Sequence, residues 1–278
     1  MFHLIEPQLG RVSGGLRYNH AVIDAAGSIQ RHELPGAWPQ PTHDDVLGLQ
    51  RLLAQLDRPV LLDGLIGCAL DSPVQSPVPI VQLVHALADT PAAQQRERQC
   101  LQAADAVVAT SRFAAAELYR RHGLEVTVAP PGVQPRPLAT GDNGGHFICV
   151  GGVEPNKNQL FLADVLAQLY ALGLGEWHCT IAGPLNDPDY DTRLRQSLAQ
   201  LPKACTQITG ELDVQALAAL YDSADILLLP SRAETFGLVV REATAAGIPS
   251  LVSAGTGAEE ALDAGRALEL EHTAWVEA

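Results

Sequence analysis

The chain has 278 residues, of which 47% are hydrophobic, and a formal net charge of −14 at pH 7. Its length suffices for two medium α/β domains, and its acidity argues against a nucleic-acid partner. The sequence shows neither a membrane-length apolar run nor a basic leader, so we predict a cytoplasmic protein with at most peripheral membrane contact. The five scattered cysteines form no CxxC pair, which favours reduced thiols.

Strand-like and helix-like segments alternate along residues 1–135. The predicted strands are FHLI, SIQRH, PVLLD, PIVQLV, AVVAT and VTVAP, and the helix-like segments include DDVLGLQRLLAQL and SRFAAAELYRRHG. In the second helix, Ser111 is the expected N-cap and Gly123 the expected end. Such alternation is typical of a parallel sheet covered on both faces.

A stretch rich in Pro and Gly, PPGVQPRPLATGDNGG, has no apolar period, and we place an interdomain linker within it at residues 136–145. A second series of strands and helices follows over residues 146–278, with FICVGG, WHCTIAG, TQITG, DILLLP and SLVSAG as its strands. The sequence therefore predicts an α/β protein of two doubly wound, Rossmann-like domains facing a cleft, with ligands at the carboxyl ends of the strands.

The segment PSRAETFGLVVREATAAGIP places one acid, Glu234, before a predicted helix and another, Glu242, inside it. The N-terminus of a helix offers unpaired N–H groups and a positive dipole end, which suit a diphosphate. The acids are too far apart along the helix to share one metal ion, but they can bracket an elongated ligand. The alternative is an acid favoured by the helix dipole together with an ordinary surface glutamate.

This segment resembles the E-x7-E segment of retaining glycosyltransferases with the GT-B fold, in the large family 4. The resemblance implies that Glu234 binds the donor sugar and that Glu242 binds the ribose of the nucleotide. It also implies that the sugar and the diphosphate are held by the N–H groups of Thr235, Phe236, Gly237 and Leu238. The stretch CVGGVEPNKNQ is similar to the opening of the family's second domain, where a lysine compensates the diphosphate. Lys157 stands at that place, behind Gly151 and Gly152.

Other parts of the chain carry the resemblance further. Ser13-Gly14-Gly15 looks like the family's glycine loop after the first strand, and His85 is similar to the family's histidine near the donor sugar. Gly183 and Gly210 match the glycines of the loops near the nucleobase. Where the family often has an arginine, this chain has Gly152, and Arg232 is a candidate for the second positive charge.

Two further departures concern the C-terminal part. The segment AGTGAEEAL resembles the family's GG-x-P-E loop but lacks its proline, and we assign Glu259 no role. The sequence stops at HTAWVEA, where members of the family continue with more helix, so we expect the family's last helices to be lacking.

The resemblance implies a metal-independent transfer of a sugar from a nucleotide-diphosphate sugar, with retention of configuration and with Glu234, Lys157 and His85 as the catalytic groups. Neither a cofactor nor a metal ion is expected. The acceptor, which is a sugar, a lipid-linked sugar or a small molecule, and the base and sugar of the donor are not determined. Two alternatives stay open: an epimerase or hydrolase of sugar nucleotides on the same scaffold, and a non-catalytic protein that binds a nucleotide sugar.

Overall fold

The computed structural model describes residues 2–10, 13–142, 144–174 and 176–278. The chain divides into two compact units, an N-terminal unit, Met1–Gly132, and a C-terminal unit, Val133–Ala278. Each unit holds one sheet of six strands, and all neighbouring strands run parallel. Because parallel strands need crossover connections, helices alternate with strands, and the predicted α/β class with two doubly wound sheets is confirmed.

The N-terminal unit alternates strands and helices from its first residues. Its elements are β1 Phe2–Pro7, α1 Gly14–Ala26, β2 Ile29–Leu34, α2 His43–Leu53, β3 Val60–Asp63, α3 Gly64–Gly67, β4 Ile80–Val84, α4 Pro91–Ala103, β5 Ala106–Ala109, α5 Arg112–His122 and β6 Thr127–Val128. The strand order is β2-β1-β3-β4-β5-β6. The direction of winding therefore reverses between β1 and β3, and such a switch point is where doubly wound sheets bind ligands.

Local sequence signals begin and end several of these helices. The hydroxyl of Ser111 accepts a hydrogen bond from the N–H of Ala114 (2.9 Å), and Gly123 closes α5 in the left-handed conformation (φ 68°), as predicted. Helix α4 was not predicted because PAAQQRERQCLQA has a weak apolar period. Thr90 as its N-cap and Pro91 in its first turn are the signals that mark it.

The C-terminal unit repeats the plan. Its elements are β7 His146–Val150, α6 Gln159–Ala171, β8 His178–Ala182, α7 Pro188–Leu198, β9 Thr206–Gly210, α8 Val214–Asp222, β10 Ile226–Leu229, α9 Leu238–Ala245, β11 Ser250–Ser253, a 3-10 helix Gly257–Ala261, β12 Gly265–Leu268 and α10 His272–Val276. The order β12-β11-β10-β7-β8-β9 puts the switch point between β7 and β10. Helix α7 begins at Pro188 because the side chain of Asp187 caps it and a proline suits the first helical position.

Both faces of this second sheet are covered by helices. Along β7, Ile148 and Val150 belong to the apolar cluster formed with α8 and α9, whereas Cys149 belongs to the cluster formed with α6 and α7. Successive side chains of a strand point to opposite faces, so this alternation shows that β7 is buried on both sides. Polar side chains can therefore approach β7 only at its ends.

The segment before β7 is bound to the C-terminal unit. The N–H of Ala139 donates to the carbonyl of Ala246 (2.8 Å), and that of Thr140 to the carbonyl of Asp222 (2.8 Å). The carboxylate of Asp225 accepts from the N–H of Asp142 (3.1 Å). Asn143 of the predicted linker lies outside the described residues. None of the described helices is long and apolar enough to cross a membrane.

Candidate active site

Four of the predicted donor-binding glycines come together at the carboxyl ends of β7, β8 and β9. The N–H of Gly151 donates to the carbonyl of Ala182 (2.9 Å), and that of Gly183 to the carbonyl of Gly210 (2.9 Å). A Cβ on Gly183, where φ is +151°, would lie 2.0 Å from the carbonyl oxygen of Gly151. Glycine is therefore required at position 183 because two loops touch there through their backbones.

Lys157 and Glu234 meet across the switch point between β7 and β10. The ammonium Nζ of Lys157 lies 2.5 Å from Oε1 of Glu234, and the two side chains are 22% and 12% exposed. One residue follows β7 and the other follows β10, so the fold brings them together over 77 positions of sequence. The two groups that the resemblance assigned to the diphosphate and the sugar are thus an ion pair in this structure.

Asn156 holds the two loops of this ion pair in register. Its carbonyl accepts from the N–H of Arg232 (2.8 Å). Its side-chain amide donates to the carbonyl of Ala233 (3.1 Å) and accepts from the N–H of the same residue (3.1 Å). The sequence analysis missed this residue. An Asn in a loop between a strand and a helix is the signal that marks it, because such side chains bond readily to nearby backbone.

The charge of Lys157 is stabilised by its surroundings. Burial, the largest single influence, acts to lower its pKa, but the charge and the hydrogen bond of Glu234 together with the carboxylate of Glu154 and the thiol of Cys149 outweigh it. The pKa of Lys157 is therefore raised above its ordinary value, and the side chain is an ammonium at neutral pH.

Gly152 stands where the resemblance leads us to expect an arginine, and the side chains of Asn186 and Glu154 occupy the space beside it. The amide Nδ2 of Asn186 donates to Oε2 of Glu154 (2.7 Å), and a Cβ on Gly152 would lie 2.3 Å from that same nitrogen. A side chain at position 152 therefore requires Asn186 to move. The guanidinium of Arg232 is directed to the start of α6, where its Nε approaches Oδ1 of Asn158 (3.4 Å).

The loop before α9 packs against the start of the 3-10 helix. The N–H of Gly257 donates to the carbonyl of Glu234 (2.8 Å), and a Cβ on Gly257 would lie 2.1 Å from the carbonyl oxygen of Thr235. Phe236 is buried, and Gly237 begins the helix with φ 77°. Among the described residues no side chain caps this helix start. The N–H groups at this helix start, including that of Leu238, are therefore the candidate backbone donors of the site.

Glu242 lies on α9, but its carboxylate is in the interior. The residue is 1% exposed, and the hydroxyl of Tyr221 donates to its Oε2 (2.9 Å). The guanidinium of Arg136 lies over the ring of Tyr221, 4.7 Å from its centroid. Glu242 is therefore not an ordinary surface glutamate, and its contact with a ribose stays a prediction.

In the N-terminal unit, the predicted residues Gly14, Gly15 and His85 gather at the switch point between β1 and β3. The hydroxyl of Ser13 caps α1 by accepting from the N–H of Leu16 (3.2 Å). A Cβ on Gly15 would lie 3.1 Å from the imidazole of His85. Burial lowers the pKa of His85, although the carboxylates of Asp63 and Glu6 act to raise it. His85 is therefore a neutral imidazole.

Three buried polar residues beside His85 were not predicted, namely Glu6, Asn19 and Asp63. Glu6 and Asp63 end apolar strands in FHLIEP and VLLD, and an acid at the carboxyl end of a buried strand is the signal that marks them. Among the described residues no group of three His, Cys, Asp or Glu side chains is placed to hold a metal ion. That the reaction needs no metal ion stays a prediction.

Solved structures share this architecture. The Anabaena protein Alr3699/HepE, crystallised with UDP and glucose, superposes with a TM-score of 0.75 over 99% of this chain and 88% of its own, at 15% identity. Sucrose-phosphate synthase from Thermosynechococcus elongatus superposes with a TM-score of 0.78 over 100% of this chain and 88% of its own, at 16% identity. At these identities the likeness shows the fold, which is that of GT-B glycosyltransferases.

Curated relatives are similar in sequence over much of the chain. A protein of Actinosynnema mirum named D-inositol 3-phosphate glycosyltransferase is 26% identical over 89% of this chain and 68% of its own length. A protein of Pseudarthrobacter chlorophenolicus with the same name is 27% identical over 68% of this chain. That alignment spans about half of the relative, 52% of its length.

Two family models match the chain in succession. The model described as Glycosyltransferase Family 4 matches residues 27–136, and the model described as Glycosyl transferases group 1 matches residues 144–277. Outside the two matches lie the first 26 residues, residues 137–143 and the last residue. The first match falls almost wholly within the N-terminal unit and the second within the C-terminal unit. The chain therefore belongs to the glycosyltransferases, with a family 4 domain followed by a group 1 domain.

Proposed function

We propose that the chain transfers a sugar from a nucleotide-diphosphate sugar to an acceptor hydroxyl with retention of configuration and without a metal ion. The observation that carries the proposal is the ion pair of Lys157 and Glu234 at the switch point between β7 and β10. A cation and a carboxylate in one place match the two ends of the reacting group, a diphosphate that leaves and a sugar that offers hydroxyls.

In this mechanism the bond between the anomeric carbon and the diphosphate oxygen breaks. The acceptor oxygen forms the new bond on the same face, and its proton passes to the departing diphosphate. Negative charge grows on the diphosphate as it leaves, and Lys157 and the N–H groups at the start of α9 stabilise it. Glu234 orients the sugar through its hydroxyls and forms no bond to carbon. Neutral His85 is the proposed contact for a further sugar hydroxyl.

A uridine nucleotide is the donor to test first, since Alr3699/HepE was crystallised with UDP and with UDP-glucose. Inositol 3-phosphate is the first acceptor to test, because the curated relatives carry it in their names. The donor and the acceptor are taken from those proteins, and for this chain both are proposals.

The experiment measures release of nucleoside diphosphate from UDP-, GDP-, ADP- and TDP-glucose, with and without a panel of acceptors. We expect release that depends on the acceptor, is unaffected by EDTA and is lost in Lys157→Met and in Glu234→Ala. The chain has only one other lysine, Lys203. Lys203→Met therefore removes the same charge from another place and is expected to keep full turnover.

Each other outcome contradicts a different part of the proposal. Release without acceptor indicates a hydrolase, and binding without release indicates a protein that only binds the nucleotide sugar. Turnover that survives Lys157→Met contradicts the assignment of the site. The anomeric proton coupling of the product decides between retention and inversion, and loss of turnover in EDTA that a divalent cation restores contradicts independence from metal.

A further inference from the structure

A buried amide joins three polar side chains at the switch point of the N-terminal sheet. Asn19 is fully buried, and its Nδ2 donates to Oε2 of Glu6 (3.0 Å) and to Oδ2 of Asp63 (2.9 Å). Its Oδ1 lies 2.8 Å from Nε2 of His85. One side chain thus contacts both buried carboxylates and the imidazole.

These contacts determine which nitrogen of His85 carries the proton. The two carboxylates, as acceptors, take both hydrogens of the Asn19 amide, so the oxygen must face His85. Because that oxygen can only accept, Nε2 of His85 must be the donor. In the neutral imidazole, Nδ1 is then the basic nitrogen.

The carboxylates cannot turn away to release the amide. Oε1 of Glu6 accepts from Nε of Arg31 (2.5 Å) and from Nε2 of His20 (3.0 Å). Oδ1 of Asp63 accepts from the N–H of Leu65 (2.9 Å) at the start of α3. A flip of the Asn19 amide would place its oxygen against two buried carboxylates. The single hydrogen bond that the flipped amide could donate to His85 does not offset that repulsion.

We propose that Asn19 is a positioning residue that holds His85 as the neutral, Nε2-protonated tautomer. The inference rests on the proposed function, in which His85 contacts the donor sugar. Described charged groups near the imidazole include Asp63, with Oδ2 at 3.6 Å from Nε2, and Glu6 behind the amide. The ring of Tyr18 packs edge-on against the imidazole (5.2 Å between centroids). The Asn19 amide thereby prevents His85 from becoming an imidazolium that pairs with the carboxylate of Asp63.

The first test is a direct observation on the unaltered protein. Long-range 1H–15N spectra of 15N-histidine-labelled chain distinguish the two neutral tautomers and the imidazolium, and His85→Gln identifies the signals of His85. We expect the Nε2-protonated tautomer, neutral at pH values where exposed histidines are already charged. A signal of the Nδ1-protonated tautomer, or of an imidazolium at pH 7, overturns the proposal without any variant of Asn19.

The second test removes the amide with Asn19→Leu. Asp63 then loses a donor and becomes the nearest acceptor for Nε2 of His85, so we expect the pKa of His85 to rise by about one pH unit or more. Leu49→Ala, a cavity in the core of the same unit, is the control for lost stability and is expected to leave the signals of His85 unchanged. If Asn19→Leu folds and His85 keeps its pKa and tautomer, Asn19 is only a structural residue.

The pH dependence of kcat distinguishes a residue that positions the proton of His85 from a residue that is only structural. With donor and acceptor in excess, the kcat of Asn19→Leu is expected to fall on the acid side of the raised His85 pKa, whereas the unaltered chain keeps a flat profile there. A kcat that falls equally at all pH values contradicts positioning through the proton. The spectra need no turnover, so failure of the proposed function and failure of this inference are told apart.

Discussion

The ion pair of Lys157 and Glu234 implies that the carboxylate competes with the donor for the ammonium. A diphosphate that binds Lys157 must draw it away from Glu234 and must also approach a like charge. The substitution Glu234→Gln keeps the shape of the side chain but removes its charge. We therefore expect this variant to bind a nucleoside diphosphate more tightly than the unaltered chain and yet to transfer sugar more slowly.

The size of the effect follows from the geometry of the pair. A hydrogen bond to a charged group contributes about 1.5–3 kcal/mol, and partial solvent exposure of the pair, 22% and 12% of the two side chains, lowers that value. A net cost of about 1–2 kcal/mol for separating the pair corresponds to about 5- to 30-fold in the Kd of the nucleoside diphosphate. Turnover moves in the opposite direction, since the sugar loses the acceptor that orients it.

Isothermal titration with UDP, GDP, ADP and TDP measures the affinities, and donor turnover is followed in parallel. Glu176→Gln is the matched control, because Glu176 is exposed and precedes the amino end of β8, away from the carboxyl ends of the strands. It removes the same charge and should change neither quantity. Equal or weaker nucleotide binding by Glu234→Gln would refute the competition, whatever happens to the turnover.

Three further predictions concern stability and reactivity. Gly183→Ala is expected to lose about 2 kcal/mol or more of unfolding free energy in urea, because its Cβ would meet a carbonyl oxygen at 2.0 Å. Gly173→Ala, also at positive φ (65°) but with nothing within 4 Å, should lose only about 1 kcal/mol. Tyr221→Phe should cost about 1–3 kcal/mol by calorimetry, because the buried carboxylate of Glu242 loses a donor. Burial raises the pKa of the Cys149 thiol to about 12, so mass spectrometry should find it alkylated by iodoacetamide only after unfolding.

The sequence predicted the elements whose local pattern agrees with the fold. Apolar runs such as DILLLP became buried strands because a parallel sheet covered on both faces buries most of their positions. The resemblance pointed to Lys157 and the glycines of the second half because strand–loop–helix junctions carry recognisable residues, and their roles stay predictions. The short 3-10 helix and β12 near the C-terminus had no such pattern, since their few residues are held mainly by contacts with β11 and α9.

What the sequence did not show is which side chains meet. Asn19 sits on a helix whose pattern gives no sign of two carboxylates, because Glu6 and Asp63 reach it from strands 13 and 44 positions away. The burial of Glu242 was missed for the same reason, because Tyr221 comes from another helix. Spacing along α9 predicts the direction of a side chain but not what covers it.

The charge of the chain sets a last condition on donor binding. Residues 141–278 have 7 basic against 19 acidic side chains, so an anionic nucleotide approaches this part against a repulsive field, and only contacts near Lys157 favour it. Salt screens charges that are more than about 8 Å apart at physiological ionic strength but acts less on buried contacts. The association rate constant of a fluorescent nucleoside diphosphate, measured by stopped flow, should therefore rise with salt, while the dissociation rate constant also rises because Lys157 holds the phosphate less firmly. An association rate that falls with salt would mean that attraction steers the donor, and the site would then have to contain more positive charge than this ion pair supplies.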